Sequence, residues 1–245
     1  MTRILGGFIT LLTNTVDGQV KAVISLIGPP GSGKGTYGSL LASRFLDAAF
    51  ISVGDILREN TEVSSILKSG ALINDSIVNE AVIHSLEGSS VSEKQMVILD
   101  GYPRTGPQSH LLAQWPVNLR PSFAIQFDVP YEVCALKLLG RRTCCICKKS
   151  INVNGVDTLG FEMPPMLPDA DSCDVRCNPD LHWKVRDDDT VDTIKLRMEI
   201  YDKETRPLLE YFEKRKQLLR FVPYNGIKDM DKLVSYVATR LHTLI

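Results

Sequence analysis

Lys21-Ala-Val-Ile-Ser-Leu-Ile27 runs directly into Gly28-Pro-Pro-Gly-Ser-Gly33-Lys34-Gly35-Thr36, and this junction decides the architecture of the 245-residue chain. The first part is a short apolar, β-branched run that stops at glycine and proline, which is the pattern of a buried strand. After Gly33, the residues Tyr37, Leu40, Leu41 and Phe45 recur at helical spacing and give one apolar face. Between strand and helix, Gly28, Gly31, Ser32, Gly33 and Gly35 let backbone N–H groups curl around phosphate oxygens, and the helix N-terminus adds positive potential. Lys34 then brings a point charge to the outer phosphates. Ser or Thr ordinarily follows that lysine; here Gly35 intervenes before Thr36, so a direct bond from Thr36 to magnesium is not implied. A glycine-rich turn that holds nothing is the competing reading, and the strand before, the helix after and the spacing of Lys34 outweigh it.

Further strands are expected at Ala49 to Ser52, Met96 to Leu99, Phe123 to Val129 and Arg220 to Tyr224, with helical patterns between them. Val191, Ile194, Met198, Tyr201, Leu208 and Phe212 mark one long helix with a kink or split at Pro207, and Leu233, Val234, Val237 and Leu241 mark the last helix. Alternating strands and helices predict an α/β fold: a P-loop, doubly wound parallel sheet. Val97-Ile-Leu-Asp100 is a buried strand ending in a carboxylate, which beside a phosphate loop orients a hydrated magnesium ion.

Two stretches break the alternation. Asp55 to Ser85 is helical without a strand, and Arg142 to Val185 is rich in Cys, Pro, Asn and Asp with little periodicity. The expected organisation is therefore an N-terminal extension at 1–20, a core built from 21–51, 86–141 and 186–245, a helical insertion at 52–85 and a second insertion at 142–185. The extension reads as a surface segment packing Ile4, Leu5 and Phe8 on the core, or as a presequence, although Arg3 is its one cation.

Hydrophobic residues make up 44% and charged residues 23%, the proportions of an ordinary globular protein. A formal net charge of −1 argues against a protein that coats nucleic acid. No apolar run reaches the ~20 residues that span a bilayer.

Several further segments then carry a resemblance. Gly28 to Thr36 has the adenylate kinase form of the phosphate loop. Ser52-Val53-Gly54-Asp55-Ile56-Leu57-Arg58 resembles that family's Ser-Thr-Gly-Asp-Leu-Leu-Arg segment, and Gly70-Ala-Leu72-Ile73-Asn-Asp75 resembles the stretch that follows it. Leu99-Asp100-Gly101-Tyr102-Pro103-Arg104-Thr105 is similar to the signature Leu-Asp-Gly-Phe-Pro-Arg-Thr, with Gln108 shortly after. Leu139-Gly140-Arg141-Arg142 and Arg186-Asp187-Asp188-Asp189 with Arg197 resemble the two ends of the family's lid. The matches run in the family's order from about Val23 to Gly226.

The resemblance implies reversible transfer of a phosphoryl group from magnesium-bound ATP to AMP, giving two ADP. Arg58 and Arg104 would hold the AMP phosphate and Gln108 would meet the adenine edge, in a site with Val53, Gly101, Ile73 and Val78. Lys34, Arg141, Arg186 and Arg197 would surround the transferred group, with Arg104 and Asp100 nearby. Lys137 and the Asn225-Gly226 turn would border the ATP base. Crowded arginines suit this chemistry, because phosphoryl transfer needs positioning and charge neutralisation more than covalent help. Guanidinium groups also match phosphate geometry with paired donors. Asp188 and Asp189 read either as helix-start carboxylates or as ion-pair partners for these arginines.

The sequence departs from the family in two places that touch specificity. Val53 replaces threonine and removes a hydroxyl beside the AMP nucleoside. Lys137 stands where many members stack an arginine on the ATP adenine, and lysine is the poorer stacking partner. The rival readings are a kinase using GTP as donor or UMP or CMP as acceptor, and a nucleotide sensor without catalysis.

Five of the six cysteines fall between Cys144 and Cys177. Cys144-x-x-Cys147 has knuckle spacing, and Cys173-x-x-x-Cys177 is one residue wider, with Cys145 and His182 as spare donors. The resemblance implies a structural zinc on the four cysteines; reduced cysteines in a metal-free lid are the alternative. Cys134 falls in a helical pattern as a core residue. The remaining implications are small-molecule substrates, no nucleic acid or membrane partner, a monomer, and a cytoplasmic or, with a presequence, mitochondrial location.

Overall fold

The computed structural model describes residues 22–60, 63–147, 149–167 and 182–243. The segment 1–20, Cys173 and Cys177 lie outside the described residues.

A parallel five-stranded sheet forms the centre. Its strands are β1 (Ala22–Ile27), β2 (Ala48–Ser52), β3 (Met96–Asp100), β4 (Pro121–Phe127) and a last strand, Leu218–Phe221. In space they run Leu218–Phe221, β4, β1, β3, β2. All five expected strands are present, with shifted ends. β4 begins at Pro121, where a missing N–H is tolerated at the first strand position. The last strand stops at Phe221, two residues before Pro223, which has no N–H to give the ladder.

The period of two explains why the sheet is wound on both sides. Val23, Val97 and Leu99 point to one face, where Leu57, Val82, Leu86 and Trp115 cover them. Ile24, Leu26, Ile98 and Phe123 point to the other, under Tyr37, Leu41, Leu233 and Val237. These residues are almost wholly buried, and each full-sized apolar side chain contributes about 1.5–3 kcal/mol relative to exposure.

The 52–85 stretch forms three helices, Val53–Glu59, Ser64–Lys68 and Asp75–Glu87. The described residues of the cysteine-rich stretch include β-structure in very short pieces. Arg141–Cys144 pairs antiparallel with Ser150–Asn152 and with Trp183–Lys184, and Val156–Thr158 pairs with Phe161–Met163. The expected long helix is interrupted before its proline. Val191–Ile200 is α-helical, Tyr201–Thr205 is a π-turn closed by Arg206 N donating to Tyr201 O at 2.8 Å, and Leu208–Lys214 resumes the helix. A π-turn adds one residue to the turn and so accommodates a proline that could neither donate nor fit the regular spiral. No described helix is long and apolar enough to cross a membrane.

Candidate active site

The crevice at the carboxyl ends of β1 and β3 collects the charged residues singled out above, at the place where chain order in the sheet reverses. Gly31 shows why the loop after β1 is built from glycine. Its φ is 85°, and a side chain there would run into the carbonyl oxygen of Cys134. Lys34 opens the Lys34–Arg44 helix and turns its ammonium back into the loop, donating to Gly28 O at 2.7 Å and Pro29 O at 2.9 Å. Burial lowers its pKa to about 8, and the Asp100 carboxylate offsets part of that. Asp100 ends β3; burial raises its pKa, and Lys34 opposes the rise. Its Oδ2 lies 3.2 Å from where a side chain on Gly35 would begin, so the carboxylate borders the phosphate loop. Ser32 is fully buried, and Thr36 sits in the first helical turn.

Arg104 is held from three sides. Its N–H donates to Gln108 Oε1 at 2.6 Å, its carbonyl accepts from Thr205 Oγ1 at 2.8 Å, and its guanidinium is buried close enough to Arg197 and Asp100 to feel both. Burial, then repulsion from Arg197, lowers its pKa to about 10. Arg186 is likewise lowered to about 10, by burial first and then by Arg141 and Arg58. Burial also lowers Arg197, with Asp188 opposing the shift. Lys34, Arg58 and Arg104 act on Asp100 while Arg58, Arg141, Arg186 and Arg197 act on Asp188, so the six form one connected cationic cluster.

Asp188 and Asp189 are ion-pair partners. Thr190 caps the Val191–Ile200 helix instead, accepting from Thr193 N at 3.3 Å. Asp189 is buried and takes a two-pronged contact from Arg141, Nε to Oδ2 at 2.7 Å and Nη2 to Oδ1 at 2.6 Å. Asp188 Oδ2 accepts from Arg197 Nη1 at 3.0 Å and lies 3.8 Å from Arg58 Nη2. Burial alone would raise the Asp188 carboxyl, but Arg197, Arg58 and their neighbours outweigh it and hold it low.

On the other wall, Val53, Ile73 and Val78 are buried in one apolar cluster. Arg58 is steered by Asp55, Nη1 to Oδ1 at 2.7 Å. Gly70 has φ 80°, and a side chain there would meet Thr193 Cγ2 at 2.8 Å, so only glycine lets this loop approach the Arg197 helix. Gly101 likewise has a positive φ, 87°. Gln108 is buried, and its Nε2 donates to Asp75 Oδ1 at 2.7 Å. Tyr102 stacks on Trp115 with centroids 5.2 Å apart, and both donate to Asn79 Oδ1. Asp75, Asn79 and Thr205 are the residues that sequence reasoning left without a role. Asp75 had a signal, its place in a family-like stretch; Thr205 had none.

At the far side, Lys137 directs its ammonium at the loop, 3.5 Å from where a side chain on Gly33 would begin. Burial lowers its pKa. Its carbonyl accepts from Asn152 Nδ2 at 2.7 Å, which ties the Tyr131–Leu139 helix to the Ser150–Asn152 strand. Arg142 closes the same helix end through Leu139 O at 3.0 Å. Gly226 packs on Met163 and Tyr224 on Phe161, so the hairpin of Val156–Thr158 and Phe161–Met163 rests on the Asn225-Gly226 turn. Cys134 is core, as expected. Cys144 is buried, Cys145 exposed and Cys147 half-buried. Among the described residues no group of three or more His, Cys, Asp or Glu is arranged to hold a metal.

A family model described as adenylate kinase matches residues 26–217. A GTP:AMP phosphotransferase of Plasmodium falciparum (isolate 3D7) is 33% identical over 222 residues, covering 86% of this chain and 94% of its own. The adenylate kinase of Orientia tsutsugamushi (strain Ikeda) is 34% identical over 216 residues, 82% of this chain and 89% of its own. That of Caldanaerobacter subterraneus subsp. tengcongensis is 33% identical over 220 residues, 86% and 91%.

Proposed function

The chain belongs to the adenylate kinase family of nucleoside monophosphate kinases, and on that premise we propose that it transfers a phosphoryl group reversibly from ATP to AMP, giving two ADP. The observation that carries this reading is the connected cluster of Lys34, Arg58, Arg104, Arg141, Arg186 and Arg197, which spans Asp100 at one side and Asp188 at the other. Such a cluster repels itself when empty and is neutralised by two nucleotides' phosphates, so it favours the state in which both substrates are bound.

Lys34 holds the donor's outer phosphates with the loop N–H groups, and Arg58 and Arg104 fix the acceptor phosphate. Arg141, Arg186 and Arg197 stabilise charge spread over the transferring oxygens, where preorganised donors act best. Asp188 and Asp189 hand these arginines over as phosphates arrive. The chain needs neither a covalent intermediate nor a strong general base.

Asp100, an acceptor-only carboxylate bordering the phosphate loop, fits a hydrated magnesium ion. Magnesium supplies charge neutralisation on the donor phosphates. Closure of 52–85 and 142–185 over the crevice excludes water, which would otherwise waste the donor. Cys144, Cys147, Cys173 and Cys177 form the proposed structural zinc site; one zinc per chain in metal analysis of the full protein tests it. The chain acts as a cytoplasmic monomer in this reading.

A second reading concerns the donor. Lys137 aims at the phosphate loop and presents no flat cation for a base to stack on, and one relative is a GTP:AMP phosphotransferase. A coupled assay of diphosphate formation, with ATP or GTP as donor and AMP, UMP or CMP as acceptor, decides between them. Turnover confined to ATP and AMP supports the first reading. Turnover only with GTP selects the second, and none with any pair returns the chain to nucleotide sensing.

A further inference from the structure

We propose that Asp75 determines acceptor-base specificity: by holding the Gln108 amide in one orientation, it selects a 6-aminopurine over a 6-oxopurine. The inference rests on the reading of Gln108 as the group that meets the acceptor base.

Gln108 is 2% exposed, so its amide is oriented by protein neighbours. Arg104 N–H donates to Oε1 at 2.6 Å, and Nε2 donates to Asp75 Oδ1 at 2.7 Å. Asp75 is held in turn by Thr105, whose hydroxyl donates to the same Oδ1 at 2.9 Å while accepting from Gln108 N at 3.3 Å. A main-chain N–H can only donate and a carboxylate can only accept. The two neighbours therefore impose the same orientation on the amide. Rotating it by half a turn would set its oxygen against the carboxylate and its amino group against the Arg104 N–H.

Each end of the Gln108 amide keeps one unused function, an N–H and an oxygen lone pair. Adenine offers the complementary pair, an amino donor at C6 and an acceptor at N1. Hypoxanthine and guanine carry the reverse, a carbonyl at C6 and an N1–H, and would need the amide turned over. Discrimination between the two purine classes thus depends on the Arg104 N–H and on Asp75, the side chain that holds the amino end of the amide. Asp75 begins the Asp75–Glu87 helix, 33 residues away in the chain from Gln108, so it fixes the amide from outside the Arg104 loop.

The test compares kcat/KM for AMP with kcat/KM for inosine monophosphate under a saturating donor. Asp75→Ala removes the acceptor and is expected to lower the AMP-to-IMP ratio by roughly tenfold or more. Asp75→Asn keeps an oxygen at the same place and is expected to keep the ratio. Gln108→Ala is expected to lower it like Asp75→Ala. If Asp75→Ala does not fold, Asp75→Leu, also without an acceptor, is read in the same way. A helix-start role alone would slow both substrates by one factor, so an unchanged ratio in Asp75→Ala with a collapsed ratio in Gln108→Ala overturns the role of Asp75 and leaves Gln108 as the base reader. An unchanged ratio in Gln108→Ala sinks the base reading and this proposal with it. A ratio lost in Asp75→Asn as fully as in Asp75→Ala would mean that charge matters and not the fixed acceptor, and would also overturn it.

Discussion

Burial leaves Lys34 with a pKa near 8, because desolvation penalises its ammonium, Asp100 compensates only in part, and Arg104 and Arg197 repel it. Lysine charge is therefore full below about pH 8 and lost as pH rises through that value. Free-enzyme ionisation appears in kcat/KM, so kcat/KM for the donor should fall above about pH 8. Bound phosphates favour the charged form, so kcat should hold to higher pH than kcat/KM does. A kcat/KM profile that stays level to pH 10 would remove Lys34 from the donor site. The same site explains why the sequence was so readable here: loop, lysine and strand-end carboxylate are local features, each within a few residues of its own signal.

Contacts between distant elements were less readable. The five strands and the helices after Gly33 and Asp229 followed from periodicity. The described strands between Arg141 and Lys184, two to four residues each, are too short to show any period. Asp75 and Gln108 sit 33 residues apart, and Thr205 and Arg104 sit 101 apart, so no spacing rule links them. Asp188 and Asp189 stood open between capping and pairing until Thr190 proved to be the cap. The π-turn gives Thr205 a consequence for the reaction. It sets a buried hydroxyl 2.8 Å from the carbonyl of Arg104, one residue beyond the proline-bearing loop. Thr205→Val removes the donor with little change of shape and leaves a buried carbonyl short of a partner, at about 1–3 kcal/mol. We expect kcat/KM for AMP to drop by about tenfold, and Thr205→Ser to restore it, because displaced positioning groups cost rate steeply. Full activity in the valine variant with a loss in the serine variant would show that the methyl group's packing matters and not the hydrogen bond.

Across the molecule, the cationic crevice sets stability against function, and its arginines divide by whether a carboxylate answers them. Arg141 gives the fully buried side chain of Asp189 its two short contacts, and without it only Arg197 Nη1 remains among the described residues, at 3.5 Å, so Arg141→Met should cost about 3 kcal/mol. Arg186 has a different position. It donates Nε to Thr143 Oγ1 at 3.0 Å, but burial and the neighbouring Arg141 and Arg58 outweigh the opposing Asp55 and Asp188 and push its pKa down to about 10. Its guanidinium stays charged at neutral pH, so the fold bears that unfavourable field until phosphates arrive. Arg186→Met keeps an apolar stem and deletes the charge. After allowance for solvent screening, the relief is on the order of 1 kcal/mol, or about 2–4 °C for a chain of this size. Calorimetry of the nucleotide-free proteins should therefore rank Arg186→Met at or above the wild type and Arg141→Met well below it. On the proposed assignment both variants should lose about a hundredfold or more in kcat, because each removes a donor proposed to meet the transferring group. Saturating ATP and AMP should stabilise the wild type more than Arg186→Met, which would reverse their order. A nucleotide-free Arg186→Met protein that melts well below the wild type would mean that Arg186 holds the fold together, and would refute the assignment of its charge to substrate alone.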